Sequence, residues 1–234
     1  MFEITGLNTG YGDIPILHDI DFTMEEGEIL MILGPNGHGK TTLLRTISGL
    51  LRAWSGSITL DGVELTSLLP HQIVQKGIAH IPQGDLLFPD MTVTENLLMG
   101  AYLPDAWKKR HSQMQEVFKL FPVLKARSGQ IARTLSGGER RMLALGRGLM
   151  MQARLYLIDE PSLGLAPLVV ENLYADIRKL VDHGYSIIVV EENASRAAGL
   201  ADRVYLMESG RFMRSGRPED LLDDEAFQTA YFGI

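Results

Sequence analysis

A glycine-rich loop that directly follows a short apolar segment most constrains the fold of this chain. Residues 29–33 read ILMIL, and residues 34–41, GPNGHGKT, fit the pattern G-x-x-x-x-G-K-[ST] in full. Such a loop joins a buried strand to the first turn of a helix, where backbone N–H groups and the positive end of the helix dipole face an anion. The sequence therefore predicts a phosphate-binding loop (P-loop).

The side chains of this loop have separate predicted roles. The Lys40 ammonium would lie at the outer phosphates of a nucleotide, and the Thr41 hydroxyl is a candidate Mg²⁺ ligand. His38 is interpreted as a tolerated loop position, because the histidines form no metal-spaced cluster. The alternative is a glycine-rich turn with an exposed lysine. The candidate nucleotide-binding residues here are Gly34, Pro35, Asn36, Gly37, His38, Gly39, Lys40, Thr41 and Thr42.

Two adjacent carboxylates close a second apolar segment. The stretch RLYLIDE ends in Asp159 and Glu160. In P-loop enzymes an aspartate at a strand end holds magnesium, directly or through water, and the next residue can act as the general base for the attacking water. The alternative is a pair of solvated acids at a strand tip. Because adjacent carboxylates repel each other, a bound cation is the simplest reason to pair them.

The segments around these motifs predict an α/β fold with a mainly parallel sheet covered by helices. EILMILG, RLYLIDE and YSIIVVE are typical of buried strands. ILHDIDFTM, at 16–24, alternates like a half-buried strand, and ITLDGVEL predicts a hairpin around Asp61-Gly62, so an antiparallel piece should lie near the N-terminus. Apolar residues at helical spacing predict two helices, one with Leu43, Leu44, Ile47, Leu50 and Leu51, and one with Leu173, Ile177, Leu180 and Val181 that stops at Gly184.

Between these α/β segments the pattern becomes helical. Thr92 and Glu95 form a capping-box pattern, and TENLLMGAY and SQMQEVFKLFPVL are typical of helices. We therefore expect one domain over 1–234, with an α/β core at 1–84 and 151–234 and an inserted helical subdomain at 85–150.

Composition excludes several classes of function. The 234 residues are 45% hydrophobic, enough for a substantial core, and contain no cysteine, which excludes disulfides and thiolate metal sites. A net charge of −7 lacks the basic footprint of a nucleic-acid-binding protein. The N-terminus does not resemble a signal peptide, and the apolar runs are too short to span a bilayer. Any membrane role is therefore expected to depend on a partner.

A second anion site is predicted about a hundred residues after the P-loop. In LSGGERRMLALGRG, at 135–148, Ser136 can cap a helix and Glu139 can complete the capping box. Gly137 and Gly138 remove side chains from the helix entrance, so that the phosphate of another molecule can approach the exposed N–H groups.

These motifs together resemble the nucleotide-binding subunits of ABC transporters, whose signature sequence is LSGGE, here Leu135 to Glu139. The resemblance covers nearly the whole chain and implies a P-loop NTPase core that binds ATP with Mg²⁺ and hydrolyses it. It also implies that two such subunits, identical or different, associate head to tail. Ser136, Gly137 and Gly138 would then bind the nucleotide held by the other subunit's P-loop.

The resemblance also assigns roles to residues that carry little signal alone. Tyr11, in GYG, would stack on adenine, and Gln83, in IPQG, falls at the Q-loop, which touches magnesium and the attacking water. The apolar stretch with Leu86, Leu87, Phe88 and Met91 would receive a coupling helix from a membrane subunit. Without the resemblance, Tyr11 is an ordinary turn residue and the apolar stretch is helical core.

Finer features resemble the branched-chain amino acid importer group and its urea and amide relatives. These features are SLGLAP, VEEN, the closing AYFG, and Ala166 where most ABC ATPases have aspartate. The importer branch implies two membrane permeases, an extracytoplasmic solute-binding protein as an indirect partner, and a peripheral position at the cytoplasmic face of the membrane. Alternatives are a lipopolysaccharide exporter, which shares LSGGERR, and a soluble ABC ATPase of repair or translation. A stand-alone P-loop kinase would give LSGGE no role.

Glu192 departs from the family pattern. It occupies the position of a switch histidine that normally bonds the γ-phosphate, where the importer group is expected to have glutamine. An ionised carboxylate ~4 Å from a phosphate is repelled by about 4 kcal/mol per unit charge at an effective dielectric constant of ~20. Glu192 therefore either avoids the phosphate or is protonated, and we expect it to weaken hydrolysis and make it pH-sensitive. The alternative is a solvent-facing acid at a helix start.

Overall fold

The computed structural model describes residues 1–193 and 199–222. The strands are β1 (Phe2–Tyr11), β2 (Ile14–Met24), β3 (Ile29–Leu33), β4 (Ser55–Leu60), β5 (Val63–Glu64), β6 (Ile78–Ile81), β7 (Leu155–Asp159), β8 (Ser186–Glu191), β9 (Arg203–Glu208) and β10 (Arg211–Gly216). The helices are α1 (Lys40–Ile47), α2 (Pro70–Gln75), α3 (Val93–Gly100), α4 (Pro104–Lys108), α5 (Arg110–Leu120), α6 (Pro122–Ala126), α7 (Gly137–Leu149), α8 (Pro167–Asp182) and α9 (Pro218–Leu222).

The strands form two sheets. A four-stranded sheet has the order β2-β1-β4-β5 with antiparallel neighbours, and a six-stranded sheet has the order β10-β9-β3-β8-β7-β6. In the second sheet β9, β3, β8, β7 and β6 are parallel, and only the β9–β10 pair is antiparallel. The predicted mainly parallel sheet and the N-terminal antiparallel piece are both confirmed.

Burial follows the position of each strand in these sheets. Every residue of β3, β7 and β8 is buried, because these strands lie inside the parallel sheet and have apolar cover on both faces. One face packs with α1 and the antiparallel sheet, and the other packs with helices that include α7 and α8. The alternating burial of β2 fits its place at the edge of the antiparallel sheet.

Helix α1 is shorter than its apolar spacing predicts. It ends at Ile47, Gly49 has φ +72°, and Leu50 is 62% exposed, so the expectation that Leu50 and Leu51 continue the helix is wrong. A positive φ is readily adopted by glycine and ends a right-handed helix. Helical spacing alone does not contain this stop signal.

Helices α3 to α7 all lie between β6 and β7, as expected for a helical insertion. The run SQMQEVFKLFPVL is divided into α5 and α6, because Pro122 begins a new helix and Phe121 has ψ 76°. A Cβ atom on Gly146 of α7 would lie 2.9 Å from Val117 Cγ1, which shows how closely α5 and α7 pack. The subdomain boundaries at 84/85 and 150/151 stay a prediction. Over the described ranges, no helix is both long and apolar enough to cross a membrane.

Candidate nucleotide site

The P-loop lies between β3 and α1, as the sequence predicts. Gly37 and Gly39 have φ values of +81° and +105°, a region that side-chain-bearing residues rarely adopt. A Cβ atom on Gly34 would collide with the Met207 carbonyl oxygen, so close approach of the β9 backbone also requires glycine there. Helix α1 then begins at Lys40, which aims its N-terminal N–H groups at the loop.

Lys40 is held inside the loop by backbone oxygens. Its Nζ atom donates to the Gly34 carbonyl at 2.7 Å and to the Pro35 carbonyl at 3.1 Å, and the side chain is buried. The same ammonium lies 3.8 Å from Glu160 Oε1. One positive charge therefore faces both the loop and the carboxylate predicted to act as general base.

Thr41 and Asp159 meet where a metal ion is predicted. The Thr41 hydroxyl donates to Asp159 Oδ1 at 3.2 Å, while Asp159 Oδ2 is buried and has no hydrogen-bond partner among the described residues. Burial raises the pKa of Asp159, although the Thr41 hydrogen bond and the charge of Lys40 oppose this shift. A buried carboxylate oxygen without a donor has a large desolvation cost, which a hard cation would remove.

These two residues fit Mg²⁺ in particular. No group of three or more His, Asp or Glu side chains suited to a metal occurs within 1–193 and 199–222. Mg²⁺ commonly keeps several waters and takes one or two protein ligands together with substrate phosphates. A hydroxyl and one carboxylate beside a phosphate loop match that requirement.

Glu160 is positioned by an uncommon backbone conformation, by one backbone hydrogen bond and by the side chain of Gln83. Its φ is +43°, an uncommon value for a residue other than glycine, and its amide donates to the Val190 carbonyl at 3.0 Å. Gln83 Nε2 donates to Glu160 Oε2 at 2.8 Å. Burial raises the pKa of Glu160; the Lys40 charge opposes this rise, and neighbouring acids add to it. A raised pKa suits a carboxylate that must accept a proton.

Two residues at the edge of the loop have contacts that the sequence does not reveal. The Tyr11 ring is 43% exposed at the end of β1, and its hydroxyl accepts from Arg45 Nη1 at 3.4 Å. His38 Nδ1 accepts from the Ser209 amide at 3.0 Å, and its carbonyl accepts from the Gly210 amide at 3.0 Å. The loop position interpreted as merely tolerated therefore joins the P-loop to the β9–β10 turn.

The signature segment forms the predicted capping box. The Ser136 amide donates to Glu139 Oε2 at 2.8 Å, and the Glu139 amide donates to Ser136 Oγ at 3.4 Å. The two glycines that follow differ. A Cβ atom on Gly137 would meet nothing closer than 3.9 Å, whereas one on Gly138 would lie 2.8 Å from Val169 Cγ1 of α8. The structure therefore opens the helix entrance at Gly137, while at Gly138 the missing side chain makes room for the chain's own α8.

The segment with Glu192 lies beside the P-loop. Glu192 Oε2 accepts from Asn36 Nδ2 at 3.0 Å, and this contact is exposed to solvent. Residues 194–198 of the switch region lie outside the described residues, as does the closing AYFG.

Glu191, the preceding residue, is a functional candidate that the sequence analysis missed. It is buried, and its Oε1 atom accepts from the Ser162 amide at 3.1 Å, the Ser162 hydroxyl at 2.6 Å and the Tyr174 hydroxyl at 2.5 Å. These hydrogen bonds join the end of β8, just before Glu192, to Ser162 in the segment after Glu160 and to Tyr174 of α8. An acid at the end of an otherwise apolar strand was the available signal.

Arg141 is the second residue that the sequence analysis missed. It is buried on α7, and all of its described hydrogen bonds go to backbone carbonyls, two of them within residues 82–84 and three within residues 159–161. Its spacing of four and seven residues from Leu145 and Gly148, which are also buried, places it on the inward face of the helix. A charged residue at such a position was the available signal.

The structure brings five of the predicted residues together at one edge of the parallel sheet. They are Lys40, Thr41, Gln83, Asp159 and Glu160, linked by the contacts given above. The signature residues lie apart from these contacts: Ser136 bonds with Glu139, and Gly138 packs beside Val169 of α8. One chain thus brings together the residues of a candidate phosphate and metal site and, separately, has a helix that begins with two glycines.

Comparisons with known proteins agree with this geometry. The model of the family described as ABC transporter matches residues 17–163. A high-affinity branched-chain amino acid transport ATP-binding protein of Pseudomonas aeruginosa is 43% identical over 233 residues, covering 100% of both chains. A probable branched-chain amino acid transport ATP-binding protein of Archaeoglobus fulgidus is 40% identical, covering 100% of this chain and 99% of the relative.

Solved structures include a close match in fold. The ADP conformation of an ATP-binding cassette of an ABC transporter superposes with a TM-score of 0.86 at 25% identity, covering 100% of this chain and 99% of the other. In P-loop enzymes a phosphate-binding loop and an acidic residue at a strand end serve nucleotide and metal binding, and the described P-loop and carboxylates have this arrangement. The chain therefore belongs to the ABC transporter family, as one of its ATP-binding, ATP-hydrolysing subunits.

Proposed function

We propose that this chain powers an ABC importer for branched-chain amino acids. The observation that carries the proposal is the 43% identity, over the full length of both chains, with a branched-chain amino acid transport ATP-binding protein. The SLGLAP segment with Ala166, and the VEEN segment at the end of β8, support the same branch.

The contacts suggest how the residues divide the work. The phosphates of ATP would lie on residues 34–42, with Lys40 turning from the Gly34 and Pro35 carbonyls towards the outer phosphates. Thr41 and Asp159 would hold Mg²⁺, whose charge would stabilise the phosphates when it is bound. Glu160 would accept a proton from the attacking water, and Gln83, which already donates to Glu160, would orient that carboxylate.

A second cassette would complete the site, and the N-terminus of the signature helix supports this part of the proposal. Helix N-termini bind anions, and Gly137 places no side chain at the start of α7, where a Cβ atom would come no closer than 3.9 Å to the described neighbouring residues. In a head-to-tail pair, Ser136, Gly137 and Gly138 of one subunit would face the γ-phosphate held by the other. ATP binding would then close the pair, and hydrolysis would reopen it.

A groove beside the Q-loop fits a membrane partner. It has a volume of about 310 Å³, and its rim exposes apolar side chains, among them Leu86, Phe88, Met99 and Tyr102. We place the permease subunits at this groove, where they would hold the chain at the cytoplasmic face of the membrane. A solute-binding protein on the other face would be an indirect partner.

The decisive first experiment uses Glu160→Gln, which should bind ATP without hydrolysing it. Its mass is measured by light scattering with and without ATP, and Lys40→Ala/Glu160→Gln serves as the control that should not bind. A shift from monomer to dimer on ATP would support a symmetric pair. An ATP-bound monomer would indicate a different partner cassette or a need for membrane subunits to hold the pair, and failure to bind ATP would contradict the proposed site.

The solute is tested in cells. A strain that lacks the chain should lose uptake of labelled leucine, isoleucine and valine, and the wild-type chain should restore it while Glu160→Gln should not. Normal uptake without the chain would refute the assignment of branched-chain amino acids.

A further inference from the structure

Arg141 is a buried guanidinium whose donors are all used by backbone carbonyls. Arginine has five N–H donors in a rigid planar fork. In this structure Nε donates to the Pro161 carbonyl at 3.0 Å, and Nη2 donates to the Asp159 and Glu160 carbonyls, each at 2.8 Å. Nη1 donates to the Gly84 carbonyl at 2.9 Å and to the Pro82 carbonyl at 3.4 Å. Five donors thus meet five acceptors.

These acceptors belong to two segments that must be aligned for catalysis. One segment is the end of β7 and the residues after it, with Asp159 and Glu160, and the other follows β6 and has Gln83 between the two bonded carbonyls. The side chains of Gln83 and Glu160 meet at 2.8 Å. By bonding the backbone on both sides, Arg141 therefore fixes the distance between the Gln83 and Glu160 side chains, which would face the nucleotide.

Arg141 also belongs to the helix that begins with the signature glycines. It lies four residues after Gly137, which is about 6 Å along the axis of α7. A helix turn transmits displacement as a rigid body, because its hydrogen bonds fix every residue within it. A shift of the segments after β6 or β7 must therefore move the start of α7 or break hydrogen bonds to Arg141.

We propose that Arg141 is a positioning residue that ties the chain's own catalytic segments to the signature helix serving its partner. ATP binding at the P-loop is thereby transmitted to Ser136, Gly137 and Gly138. This inference rests on the proposed function, because the segments bonded to Arg141 would serve the nucleotide on this chain's own P-loop and the start of α7 would serve the nucleotide of the partner. It identifies a link between the two ATP sites of the pair.

Other arginines of α7 do not bridge the two segments. Arg140 pairs with Asp85 at 3.0 Å, and Arg147 donates to the Leu86 carbonyl at 2.8 Å, so both hold the segment after β6. No described contact joins either of them to the segment after β7. A lysine at 141 could donate at most three hydrogen bonds from a single point and could not span both sets of carbonyls.

The test is hydrogen–deuterium exchange in a Gly137→Trp background, where the indole blocks a second molecule from the signature helix. Any effect of ATP on the exchange of residues 137–142 then comes from the chain's own P-loop. In the Gly137→Trp protein that keeps Arg141, ATP should slow exchange at residues 82–86 and at residues 137–142, and both effects should have the same half-saturating ATP concentration. If ATP does not change exchange at residues 137–142, or changes it with a different half-saturating concentration, the proposal is overturned. This result does not depend on whether the variant Arg141→Lys folds.

The variant Arg141→Lys should remove the ATP effect at 137–142 while the Kd for ATP stays within about threefold. Without the tryptophan, kcat should fall by about tenfold and KM should change little, as expected for lost positioning. Arg133→Lys, an exposed arginine paired with Asp90, is the matched control and should behave as wild type. Retention of coupling and kcat in Arg141→Lys would refute the inference. Absence of ATP binding in the wild-type chain would instead refute the proposed function.

Discussion

Replacing the two signature glycines separately by alanine distinguishes an anion site from a packing site. At Gly137 an added Cβ atom meets nothing within 3.9 Å, so the variant should gain about 0.4–1 kcal/mol through lower entropy of the unfolded chain. At Gly138 the added Cβ atom lies 2.8 Å from Val169 Cγ1, a contact that forces α8 or its side chain to move. Overpacking costs about 1–3 kcal/mol, so a net loss of about 1–2 kcal/mol is expected.

The assay is urea unfolding at constant m value, combined with ATPase turnover. Val169→Ala removes the atom that Gly138→Ala would contact, so the double variant should return to within about 0.5 kcal/mol of Val169→Ala alone. If two subunits pair as proposed, Gly137→Ala should lose ATPase activity by about tenfold despite its higher stability, because its methyl group would lie where the phosphate held by the partner approaches. Full activity in Gly137→Ala would refute that approach. A Gly138→Ala variant as stable as wild type would refute the packing argument.

Three further predictions concern single ionisable groups. Glu192→Gln keeps a hydrogen-bond acceptor for Asn36 but removes the negative charge beside the phosphates. At ~4 Å that charge would repel a phosphate by about 1–4 kcal/mol, so the ATPase turnover rate should rise. An unchanged turnover rate and pH profile would contradict a role for Glu192. Asp159→Asn should weaken Mg²⁺ binding to the ATP complex by about tenfold, because it removes the charge of the carboxylate that contacts Thr41. The affinity is measured by Mg²⁺ titration, and equal Mg²⁺ affinity in the variant and the wild type would exclude Asp159 as a ligand. Burial, with the Arg45 charge, lowers the pKa of His80 from 6.5 to about 4. Between these pH values the unfolded chain binds a proton that the folded chain does not. The folded state therefore loses up to about 3 kcal/mol of stability as the pH falls from 6.5 towards 4. His80→Asn should flatten the stability curve in that window, and an unaltered slope would show that other groups cause it.

The parts of the site that the sequence predicts are those fixed by local stereochemistry. The P-loop needs glycine at positive φ and a helix start at Lys40, and both requirements are written in eight consecutive residues. The capping box at Ser136 and Glu139 spans four residues. Asp159 and Glu160 mark the end of an apolar strand in the same direct way. Short motifs of this kind carry their own geometry.

The parts that could not be predicted depend on contacts between distant segments. The contact that distinguishes Gly138 from Gly137 comes from Val169 on another helix, and His38 meets Ser209 from the far end of the chain. The bonds of Arg141 all go to backbone carbonyls, which carry no residue-specific signal. Periodicity places Arg141 on a buried face but does not say which oxygens it meets.

The order of strands in the parallel sheet also governs when the nucleotide site can form during synthesis. Strand β3, which leads into the P-loop, pairs only with β8 and β9 among the described strands, and its first pair joins Ile29 to Ile187. At about 5–20 residues per second, the ribosome needs roughly 10–30 s to make the intervening chain. Throughout that interval the most apolar strand of the molecule has no strand to pair with. The nascent chain must therefore shield β3 in another way, by early packing on α1 and the antiparallel sheet or by a chaperone, before it can bind ATP.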